Sequence, residues 1–97
     1  MAQLTAEQRL EKVKLALYGT AANSWNDEQL QVYISEVMDD LISGGVPQSV
    51  AESEKAVGCI AVGVNDIWSY SPGGVKHSDY FNRRLIQLSR MRGDENV

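Results

Sequence analysis

Asn26-Asp27-Glu28-Gln29-Leu30-Gln31-Val32-Tyr33-Ile34-Ser35-Glu36-Val37-Met38-Asp39-Asp40-Leu41-Ile42-Ser43-Gly44-Gly45 spells a helix with both of its ends. Asn26 has a short side-chain oxygen for the first free amides, and Gln29 stands at the third helical position. Asp27 and Glu28 favour the positive end of the helix dipole. Leu30, Tyr33, Ile34, Val37, Met38, Leu41 and Ile42 recur at three–four spacing, which defines one core-facing stripe. Glu36, Asp39 and Asp40 fall off that stripe. Gly44-Gly45 ends the pattern.

The same grammar extends in both directions. Upstream, Thr5 with Gln8 three residues later forms a capping box. Leu10, Val13 and Leu17 follow at helical spacing, and Gly19 is the expected stop. Thr20 to Asn26 reads as a loop with Trp25 as an apolar anchor. Downstream, Pro47 suits the first turn of a third helix, where its missing donor has no partner to lose. That helix is expected to run to about Tyr70, with Val57, Ile60, Ala61, Val64, Ile67 and Trp68 as its stripe. Gly58 and Gly63 lie inside it at a cost of roughly 1 kcal/mol each against Ala. Either neighbours approach closely there or the helix is locally broken; close packing of a central, mostly buried helix is the expectation. Ser71-Pro72-Gly73-Gly74 is a break. Ser78 then caps a fourth helix with Phe81, Leu85 and Leu88 on one face and Ile86 broadening it. Gly93 to Val97 reads as a frayed tail. The expected fold is all-α: one domain over residues 1–97, a compact bundle of about four helices, with a long central third helix and a hinged C-terminal helix.

Ninety-seven residues, 43% hydrophobic and 23% charged, fit one domain with a modest core. The start lacks the charged-then-apolar build of a secretory leader, and the longest apolar run, Val57 to Val64, is too short to span a bilayer. A soluble protein with no membrane partner is the expectation. Net charge is −4, and its placement is uneven. Asn26 to Glu54 holds seven acids and no Lys or Arg, whereas Lys76 to Arg92 holds five bases against Asp79 alone. Two readings stand: two solvated faces, or copies that meet acidic flank to basic flank.

The residues for catalysis are sparse. Cys59 and His77 are the sole cysteine and histidine, and Cys59 sits in an apolar run, which reads as a structural thiol. Asp39 and Asp40 are adjacent and diverge by about 100° on a helix, so they do not chelate one ion. Gly73-Gly74 follows a helix and lacks a Lys-Ser/Thr ending, so it is no phosphate loop. No enzymatic activity, catalytic residue, cofactor or metal is expected. Arg83, Arg84, Arg90 and Arg92 offer phosphate contacts, but the acidic remainder opposes a nucleic-acid-binding domain. A small helical module that binds one regulatory partner is the other alternative. Trp68 and Tyr70 read either as core closures or as interface anchors.

Across nearly its whole length the chain resembles the small head–tail connector (adaptor) proteins of tailed bacteriophages and prophages. The likeness runs through Leu10 to Leu17, Asp27-Glu28-Gln29-Leu30, Gly44-Gly45-Val46, Asp66-Ile67-Trp68, Pro72-Gly73-Gly74, Lys76 with Ser78, Phe81, and Leu85-Ile86-Gln87-Leu88. Tyr18-Gly19 departs from the basic residue that often ends the family's first helix. The resemblance implies a structural virion protein without enzymatic activity, made in the bacterial host cytoplasm. It implies a ring of copies, commonly a dodecamer, between the portal protein and the next neck or tail-completion protein. Such a ring extends the DNA channel and offers a docking surface for tail attachment. On that implication Trp68, Tyr70, Lys76, Phe81, Arg83, Arg84, Leu85 and Leu88 are expected at a portal or subunit interface. Glu36, Asp39 and Asp40 are expected to face the channel lumen or a neighbouring copy. No sequence-specific nucleic acid is implied.

Overall fold

A computed structural model describes residues 3–18, 26–69 and 78–91, with the side chains of Trp68 and Ser69 outside that description. Among the described residues the fold is all-α. Its elements are α1 (Ala6–Leu17), α2 (Asp27–Ser43), α3 (Gln48–Ala51), a 3₁₀ turn (Glu54–Ala56), α4 (Val57–Ser69) and α5 (Asp79–Ser89).

The local signals act as written. The Thr5 hydroxyl accepts from the Gln8 amide while the Gln8 side chain accepts from the Thr5 amide. Asn26 and Gln29 do the same at the start of α2. These reciprocal bonds satisfy amides that the helix itself leaves unpaired. Gly44 closes α2, and Gly45 turns the chain at φ 103°, a conformation open to glycine at little steric cost. The expected stop at Gly19 and the anchor Trp25 lie outside the described residues.

The continuous third helix is not what forms. Residues 47–69 divide into α3, a 3₁₀ turn and α4, and the division falls at Glu52-Ser53. Ser53 is fully buried. Its hydroxyl donates to the Val50 carbonyl at 2.7 Å and accepts from the Lys55 amide at 3.3 Å. A serine that bonds nearby backbone competes with the helix ladder. The segment before α1 captures what the break releases. The Leu4 amide donates to the Glu52 carbonyl, and Gln3 forms an isolated antiparallel bridge with Ser53. Arg9, buried on α1, donates through one terminal nitrogen to the carbonyls of Leu4 and Glu52, at 3.0 and 3.1 Å.

α4 packs against α1 on one side and α2 on another. Val13, Leu17, Leu30, Val37, Leu41, Ile60 and Val64 fill the space between them at 2% exposure or less. Ile42, placed by spacing on the core stripe of α2, sits at its edge and is 40% exposed. Gly63 answers to close packing: a Cβ there meets Val37 Cγ1 at 2.7 Å and Phe81 Cε2 at 2.8 Å. Gly58 does not: it is exposed, with nothing within 4 Å of such a Cβ. Five helical residues separate the two glycines, so they point about 140° apart around the α4 axis. Ion pairs join the outside of the bundle. Lys12 meets Glu54 at 2.8 Å, and Lys14 meets Asp27 at 3.1 Å.

Candidate interaction surface

α5 is held by three devices. Ser78 caps it, its hydroxyl accepting from the Phe81 amide. The Ser78 amide in turn donates to the Asp66 carboxylate on α4 at 2.8 Å, and Asp66 is itself buried. Phe81 then enters the core beside Gly63 at 1% exposure, and Leu88 follows at 0%. Leu85 is half-buried, with its methyls against the bare backbone of Gly44. The expectation that Phe81 and Leu88 lie at an interface is thereby corrected: both are spent on the chain's own core. Their apolar spacing was read correctly as a face that needs burial, and the core supplies it. Tyr70, Lys76 and the expected hinge at 71–77 lie outside the described residues, as does the Trp68 side chain.

The remaining α5 residues face solvent and form a charged feature. Arg83 and Arg84 join Lys55 of the 3₁₀ turn around a cleft of about 370 Å³, completed by Tyr80, Gln87 and Gly58. Arg84 donates to the Gln87 side chain at 2.9 Å and to the Lys55 carbonyl at 3.4 Å, so its guanidinium is aimed by neutral partners. Neither Lys55, Arg83 nor Arg84 forms an ion pair among the described residues. A second cleft of about 280 Å³ lies beyond Gly58, between α1 and α4, and is lined mainly by apolar atoms of Ala16, Leu17, Ala61 and Val62 with Asn65 at its end. The two clefts have Gly58 as a common lining residue and are together called the trough; the first is basic and the second apolar. Sequence reading named Arg83 and Arg84 but missed Lys55, Gly58, Tyr80 and Gln87. No sequence signal pointed to them: that Gly58 is exposed with nothing to pack against is visible only in the fold.

The acids lie elsewhere. Glu36, Asp39 and Asp40 are all exposed on α2. Positions three and four apart stack on one side of a helix, so these three form a single ridge. Val32, 56% exposed, extends it by one turn toward the N-terminus. The trough and the ridge occupy different faces: Gly63 is the α4 position that meets α2, and the trough opens about 140° away from it.

Cys59 is buried at 1% exposure, and burial pushes its thiol up from 9.0 to about 11. The folded state therefore keeps a proton that the unfolded chain loses first, and stability falls with rising pH across that window. The expected loss between pH 9 and 11 is up to roughly 2–3 kcal/mol. It is checked by denaturant unfolding at stepped pH, with Cys59→Ala as the control that flattens the slope.

Among the described residues, no group of three or more His, Cys, Asp or Glu is placed to hold a metal ion. No described helix is long and apolar enough to cross a membrane. No known protein family, no curated protein and no solved structure matches this chain.

Proposed function

We propose that the chain is a structural subunit of a bacteriophage neck. In this reading copies form a ring between the portal protein and the next neck or tail-completion protein, extending the DNA channel and offering a surface for tail attachment. The observation that carries the reading is the separation of an acidic ridge on α2 from a basic trough beside α5 on one small helical subunit. A cyclic assembly needs two different patches on each copy that fit one another. Opposed charge also sets the register of such contacts and speeds encounter. The motif order of the sequence, with its resemblance to head–tail connectors, supports the same reading and supplies the portal as the partner. The mechanism is geometric: copies pack around an axis, one rim meets the portal, and the other meets the tail side.

The test is co-sedimentation with a purified portal ring. A larger complex of defined stoichiometry is the expected result. Absence of any complex, together with no incorporation of the chain into virions by mass spectrometry, would overturn the reading.

A further inference from the structure

We propose that the occupant of the trough is the α2 ridge of a second copy of this chain, a contact that rests on the ring reading above. Three observations point to it. The first is charge: Arg83 and Lys55 form no ion pair among the described residues, and neither do Glu36 and Asp39 on the ridge. Two sets of opposite charge are thus left facing solvent on one molecule.

The second is the order of character along each surface. On either side of Gly58 one cleft is basic, with Arg83 and Arg84, and the other apolar, with Ala61 and Val62. The ridge runs from apolar, at Val32, to acidic, at Glu36 through Asp40. The lengths agree. Val32 to Asp40 spans about 12 Å of helix, and Gly58 to Asn65 about 10 Å, with Lys55 extending the basic end.

The third is Gly58, at the junction of the two clefts. A Cβ there would touch nothing within the subunit. A glycine inside a helix weakens it, and packing within the subunit does not call for one here. A partner helix laid across this point does, because bare backbone permits close approach. Trough and ridge lie on different faces, so the contact is heterologous and propagates from copy to copy rather than closing as a two-fold dimer.

The experiment uses the intact chain, sedimentation velocity over a concentration series, and low against high salt. The parent is expected to self-associate at low salt and to dissociate as salt screens the contact. Arg83→Glu with Arg84→Glu, and separately Glu36→Lys with Asp39→Lys, are each expected to weaken association about a hundredfold by placing like charges together. An equimolar mixture of the two variants is expected to recover it, since each supplies the surface the other now fits. Gly58→Gln is expected to melt at or above the parent temperature while losing association, which a role in folding alone does not produce.

A parent that stays monomeric throughout, variants that associate as the parent does, or a mixture no better than its components would each overturn the contact. Portal binding, measured on the same variants, separates the two proposals. If the portal complex forms while association ignores these charges, the docking fails and the connector reading stands.

Discussion

Phe81→Ala is expected to destabilise the protein by about 3–5 kcal/mol, the range for emptying a buried aromatic site. Phe81 is 1% exposed and lies where Gly63 leaves room for it between α4 and α2. The neighbouring Val37 cannot close the void cheaply, because it is already fully buried and β-branched. Single domains are stable by only about 5–15 kcal/mol, so a large share of the total is at stake. Guanidinium unfolding followed by circular dichroism measures it. The result also decides how α5 belongs to the molecule. A helix that spends much of its time detached would lose little when its anchor is cut. A loss under about 1 kcal/mol would therefore show that α5 is not part of the cooperative core.

Arg9→Ala is expected to cost roughly 2–4 kcal/mol, since hydrogen bonds to a charged group contribute about 1.5–3 kcal/mol each and opposing desolvation takes part of that back. One terminal nitrogen of Arg9 serves the carbonyls of both Leu4 and Glu52, while its buried Nε has no partner. That combination makes the sign worth measuring. Arg9→Met keeps the apolar stem and removes only the charge and its donors, so about half the loss is expected from it. Hydrogen exchange at the Leu4 amide, which donates to Glu52, should quicken in both variants. An Arg9→Met protein as stable as its parent would mean that burying the charge costs as much as its bonds return, and that Arg9 selects the arrangement without strengthening it.

The elements were legible where one residue's local chemistry settles them. Thr5 with Gln8, Asn26 with Gln29, and Ser78 each cap the helix they were expected to cap. The stripe of α1 is buried as spaced; that of α2 is buried at Leu30, Ile34, Val37 and Leu41, partly buried at Tyr33 and Met38, and exposed at Ile42 on the rim. The long third helix was illegible because Ser53 reads as tolerable in a helix. What stabilises the break is remote: Leu4 and Arg9 bond the Glu52 carbonyl and Gln3 bridges to Ser53, from far along the chain. The glycines show the same limit. Gly58 and Gly63 look alike in sequence, but one is wedged between Val37 and Phe81 and the other faces open space. Charge segregation was visible in the sequence. That Lys55 would stand beside Arg83 and Arg84 was not, because 29 residues separate Lys55 from Arg84.

The clamp around Glu52 and Ser53 bears on the timing of folding. Arg9 reaches the Glu52 carbonyl across 43 residues, and the Gln3 side chain donates to the nearby Ser49 carbonyl across 46; closing a loop of that size costs roughly 3 kcal/mol in chain entropy. Contacts between sequence neighbours form before such a closure repays itself. The amino-terminal strap is thus expected to fasten late, after the α2–α4 packing is set. Bonds made after the transition state do little to hasten folding, but they slow the reverse reaction. In a chevron analysis Arg9→Ala should lift the unfolding arm and leave the refolding arm nearly in place, which makes the strap a brake on unfolding.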